Sequence, residues 1–158
     1  MTREEYPLKA ALELRERELD LAKAALAEAR RAEAEQEAQV RAAQEQTQTH
    51  ESLIVETRAA QKHRGVARAD ELLRDMDYDV RLRSRRGELA GAADAQRALL
   101  AKANGLVATR MSDLAKARAE NEAVLKHQER WEAERATIAG RRAEAEEDDQ
   151  NSVRFGKN

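Results

Sequence analysis

The sequence predicts an all-α fold: two long helices paired as an antiparallel coiled-coil hairpin, the second helix longer than the first. Three observations carry this. The chain is rich in Ala, Glu, Arg, Lys and Leu, the strongest helix formers. Apolar residues recur at seven-residue intervals in two ladders. Its 158 residues hold one proline, near the start, and the first glycine stands at position 65. With 38% charged and only 3% aromatic residues, there are too few large apolar side chains for a round core. Charge alone would also suit a disordered chain, but the regular Leu and Ala spacing argues against disorder.

Pro7 suits a helix start, because the first turn has no use for its missing N–H. The first helix is predicted over 7–62. Leu12, Leu19, Leu26, Val40 and Ile54 stand on one ladder, with Glu33 and Thr47 as polar rungs. Leu8, Ala22, Ala29 and Ala43 stand on the second, interrupted by Arg15, Gln36, His50 and Thr57. The seam is therefore expected to be weak around 33–36 and 47–50.

The turn is predicted over 63–69, where Gly65 can take the left-handed backbone that ends a helix. Asp70 is a candidate cap or first-turn residue for the second helix, predicted over 70–147. Its ladders read Ala93, Leu100, Val107, Leu114, Asn121 and Ala103, Ala117, Val124, Trp131, Ile138, with Arg110 as one charged rung. Residues 1–149 thus form a single hairpin. The carboxylates of 144–149 sit at the unfavourable end of the helix dipole, and 150–158 are expected to be a flexible tail.

Register follows from the turn. With its centre near Val66, facing residues have numbers summing to 132 or 133, so Leu26 meets Val107 and Leu19 meets Leu114. A turn centred near residue 77 would set Leu19 against Arg135, so the first register is preferred. Each paired arm should be about 80 Å long. Trp131 and Ile138 should project beyond the start of the first helix. Asn121, polar at a seam position, is expected to set register.

The net charge of −2 gives no global field for nucleic acid or anionic lipid. The run Arg81, Arg83, Arg85, Arg86 is flanked by Asp75, Asp77, Asp79 and Glu88, so it reads as a solvated face. The absence of cysteine removes disulfides and thiolate chemistry. The polar stretch 1–5 is unlike a secretory leader, and no apolar run approaches the roughly 20 residues that span a bilayer. No catalytic site is expected. The carboxylates interleave with Lys and Arg at helical spacing, as in Glu13/Arg17, and a two-helix rod has no dry pocket to shift a carboxyl pKa. His50, His63 and His127 include no pair four residues apart, so neither a metal nor a cofactor is expected. Two places carry surplus apolar surface: the tip, with Leu72, Leu73, Met76 and Tyr78, and the termini end, with Leu8, Leu12, Trp131 and Ile138.

Tyr6-Pro7-Leu8 followed by Leu12-Glu13-Leu14-Arg15-Glu16 resembles the opening of the type III secretion stalk family, the YscO-type proteins of injectisomes and the FliJ-type proteins of flagella. The later His127-Gln128-Glu129-Arg130-Trp131-Glu132, with the acidic stretch 143–149 after it, is similar to the end of YscO-type chains. The resemblance covers essentially the whole length and departs at 151–158, which are less acidic. It implies a helical hairpin without enzymatic activity, cytoplasmic and peripheral to the inner-membrane export apparatus. The termini end (Leu8, Leu12, Trp131, Ile138) would enter a hexameric export ATPase. The tip (Leu72, Leu73, Met76, Tyr78) would reach the export gate, and secretion chaperones are possible further partners. The rival expectation is a self-assembling structural coiled-coil scaffold.

Overall fold

A computed structural model of the chain describes residues 6–155. The polar stretch 1–5 and the last three residues of the expected tail lie outside the described residues. Two helices are present, α1 (Lys9–His63, 55 residues) and α2 (Ala69–Phe155, 87 residues). They pack antiparallel as a coiled-coil hairpin with the second helix the longer. Contacts divide the chain into two units, one of Met1–Ala24 with Ser112–Asn158 and the other Ala25–Met111.

In the unit Ala25–Met111, the core follows the predicted ladders and adds Leu82, which lies before the first predicted rung of α2. Leu26, Ala29, Val40 and Ile54 of α1 are buried, as are Leu82, Ala93 and Val107 of α2. The rungs between them, Gln36, Ala43, Thr47, His50, Ala103 and Arg110, are half-buried, so the heptad runs unbroken along α1, while in α2 the rung at Arg86 is exposed. The stretches expected to be weak contain polar cross-links instead. Gln36 Nε2 donates to Gln96 Oε1 at 2.5 Å. His50 Nε2 donates to the Leu82 carbonyl at 2.8 Å. The Asn104 amide donates to Glu33 Oε1 at 3.1 Å in the orientation that satisfies both of its ends. A polar rung in a two-helix seam has water beside it and a partner across it, so it need not break the pairing. The pairs 36/96 and 50/82 both sum to 132, which is the predicted register.

The turn occupies 64–68. Gly65 has φ of 76°, where a side chain would be strained. Of the two places expected for Asp70, the structure shows the second, in the first turn of α2. The Arg68 N–H donates to Glu71 Oε2 at 3.0 Å, one half of a capping box, while Asp70 lies in the first turn and faces Arg74 at 3.8 Å. Arg64 ties the turn to α2 through Asp75 at 2.6 Å. That bond raises the Arg64 pKa further.

In the other unit, Leu114 is buried, and Leu19, Ala22, Ala117 and Val124 are half-buried along the same seam. Arg15, a charged rung in the ladder, reaches Glu18 at 2.7 Å and Glu120 at 2.6 Å. The bond to Glu18, then the charge of Glu120, raises its pKa. The α2 helix continues past the expected end at 147 to Phe155. No Gly or Pro interrupts 141–155, and a terminal dipole clash of less than ~1 kcal/mol per carboxylate is too weak by itself to stop the helix.

Asn121 stands on the seam, half-buried, with its Oδ1 buried and unpartnered. Such an atom costs about 1–3 kcal/mol. Asn121→Leu should therefore stabilise the chain by at least about 1 kcal/mol, seen as a raised Tm in a thermal melt. An unchanged or lower Tm would show that the oxygen is solvated after all.

Candidate functional site

At the termini end an aromatic cluster closes the start of α1. Tyr6 is brought there by its place just before Pro7, with the helix beginning as the Lys9 N–H bonds the Tyr6 carbonyl at 3.1 Å. Its ring is buried. The hydroxyl lies 2.7 Å from His127 Nδ1 and 3.5 Å from the Val124 carbonyl. With Nδ1 protonated, the imidazole donates to the hydroxyl, whose own hydrogen is then free for Val124; with Nδ1 unprotonated, the hydroxyl donates to the ring. Tyr6 also meets Trp131 edge-on, with centroids 5.6 Å apart and planes at 63°. Arg135 lies over the other ring system's face, its Cζ 5.5 Å from the Trp131 centroid.

Of the four residues expected to form a docking patch at this end, the structure separates two pairs. Leu8 and Ile138 are exposed, at 41% and 45%. Leu12 and Trp131 are half-buried. Trp131 does not project freely beyond the first helix, because Tyr6, ahead of α1, extends the pairing by one more layer. Tyr6 and His127 have numbers summing to 133, so the register itself reaches this pair. The sequence reading stopped at Leu8 and missed it.

At the turn end, Leu72, Leu73, Met76 and Tyr78 are all exposed. They do not form one patch. Glu71, Asp75, Asp79 and Leu82 take the seam. Leu73, Met76 and Val80 fall at three- and four-residue steps on an outward face, with more than three-fifths of each exposed. Tyr78 lies on the opposite flank, lining an open groove with Thr57, Ala60 and Gln61. Of the basic run, Arg85 is paired with Glu88 and Arg86 with Glu51.

Among the described residues no group of three or more His, Cys, Asp or Glu is placed to hold a metal ion. No described helix is long and apolar enough to cross a membrane. The grooves beside His50 and Tyr78 are open to solvent.

No family model matches the chain, and no curated protein matches it. Among solved structures, the Chlamydia trachomatis protein CT670, described as a YscO homolog, has the same fold. The TM-score is 0.81 at 20% identity, and the match covers 99% of this chain and 96% of that one.

Proposed function

We propose that the chain is the non-enzymatic central stalk of a bacterial type III secretion export apparatus. The observation that carries this is the end-to-end agreement of the hairpin, over 99% of this chain and 96% of the other, with a protein described as a YscO homolog. The residues that resemble the family, Tyr6-Pro7-Leu8 and the stretch around Trp131, are those that meet at the termini end. In this reading the termini end engages a hexameric export ATPase and the tip engages the export gate, with secretion chaperones as further partners. The work is mechanical. A two-helix seam inside a six-membered ring touches each subunit differently, and unequal contact biases which ATP site turns over next. The stalk sits in the cytoplasm, against the inner-membrane apparatus.

Leu8 and Ile138 offer the cleaner test, since Trp131 is partly structural. The ATPase rate of the export ATPase encoded nearest this gene is measured with the native chain and with Leu8→Asp plus Ile138→Asp. Stimulation by the native chain, lost in the double variant at unchanged helicity, is the expected result. No stimulation and no co-elution would remove the stalk reading. The exposed Leu73, Met76 and Val80 favour a second reading, a structural coiled-coil scaffold. A scaffold would hold a stable dimer or larger assembly at low micromolar concentration, where a stalk is monomeric.

A further inference from the structure

The outward face of α2 near the turn is complementary to itself. Ala69, Leu73, Met76, Val80, Ser84, Gly87 and Gly91 follow one another at steps of four, three, four, four, three and four residues. That order is the same read backwards, with Val80 at its centre. Around the same centre the charges invert: Asp77 and Asp79 precede it, and Arg81 and Arg83 follow. We infer that this face docks antiparallel against the same face of a second copy of the chain, with the two-fold axis at Val80.

Size and charge both fit that occupant. About a dyad at Val80, residues whose numbers sum to 160 lie across from each other. Leu73 then meets Gly87 of the second copy, and Met76 meets Ser84. The large residues of one half stand over the small residues of the other. Nothing lies within 4 Å of the Cβ position at Gly87 or Gly91, so that space is open to an incoming side chain. On the flank, exposed Asp77 comes beside exposed Arg81 of the second copy, whereas Asp79 lies toward the seam with α1. Two-fold symmetry repeats the pair, giving two ion pairs. A foreign partner would need the same inverted charge order, whereas a second copy has it by construction.

Pairing within the helix does not use these charges up. Asp77/Arg81 and Asp79/Arg83 have the four-residue spacing that favours intrahelical pairs. Yet among the described residues neither pair is formed, and Arg81 Nε instead donates to the Asp77 carbonyl at 3.3 Å. Asp75 and Arg85 continue the charge pattern but turn elsewhere, to Arg64 and Glu88. The contact covers about four turns of one helix, below the size of stable interfaces, so the association is weak, reversible and salt-sensitive. It covers Leu73 and Met76, and so competes with any other partner of the tip.

The test needs only the purified full chain and does not depend on the stalk reading. Sedimentation equilibrium is run up to several hundred micromolar on three proteins: the native chain, Asp77→Lys, and Arg81→Glu. The native mass should climb toward twice the monomer at low salt. Each reversed variant should associate at least tenfold more weakly, and an equimolar mixture of the two should regain the native affinity. Because the chain has no cysteine, single-cysteine variants give a second route. Mild oxidation should link Val80→Cys to itself. It should not link Leu73→Cys to itself, but should link it to Gly87→Cys. A native chain that stays monomeric, reversed variants that associate as the native chain does, or a mixture that fails to recover would each overturn the inference.

Discussion

Leu114→Asp is expected to lower the Tm by roughly 10 °C, with a matching loss of helical circular dichroism on heating. Leu114 is only 7% exposed, in the layer where the register sets it against Leu19. Replacing it removes a buried leucine, a change of about 2–5 kcal/mol, and leaves a carboxylate facing the seam. At about 3 kcal/mol, and 2–4 °C per kcal/mol for a chain of this size, the shift follows. Leu21→Asp is the control: Leu21 is 70% exposed, and the same chemistry there should cost under ~0.5 kcal/mol. Acid should partly rescue the buried variant. Burial raises the carboxyl pKa above its unfolded value, so the penalty is fully present above the folded pKa. It shrinks as pH falls through that pKa toward the unfolded one. Equal melting of the two variants would mean that the seam does not pass through Leu114.

Tyr6→Ala should open the termini end without melting the hairpin. The ring is buried, and its removal withdraws about 3 kcal/mol of packing from one layer. Tyr6 precedes α1, so the loss is local. Trp131 is the one tryptophan in the sequence and reports directly. Its emission should shift to the red and become easier to quench in Tyr6→Ala. Tyr6→Phe keeps the ring and loses the hydroxyl, which touches His127 and Val124. It should cost about 1 kcal/mol and leave the emission where it was. An unshifted spectrum in Tyr6→Ala would show that Trp131 is not covered by this ring.

The seam was legible because periodicity is additive: many weak positions agree on one phase. Leu26, Val40, Ile54, Val107 and Leu114 are all buried where their ladders put them. Gly65 was legible because only one residue in the region suits a positive φ. What escaped were single partnerships. Gln36 reads as a defect in its own helix, and only the identity of Gln96 across the seam makes it a cross-link. Tyr6 lies before the periodic stretch, so no ladder points to it. The cap went to Glu71 because its carboxylate reaches back to the Arg68 N–H, a choice of rotamer that spacing does not decide. Leu72, Leu73, Met76 and Tyr78 were correctly seen as surplus apolar surface, but linear proximity grouped residues that the helix sends to different sides.

Among the described residues, no side chain is buried below 2% exposure. Every layer of the seam therefore has solvent at its edge, and a polar replacement there is still partly hydrated. Selection on such a chain acts mainly on spacing, since few positions demand one particular shape. Substitutions can accumulate layer by layer, each at small cost, until two lineages keep the same backbone with little common sequence. Homology in this architecture fades from the letters long before it fades from the coordinates, so relatives of this chain are better sought by helix length and heptad phase than by residue identity.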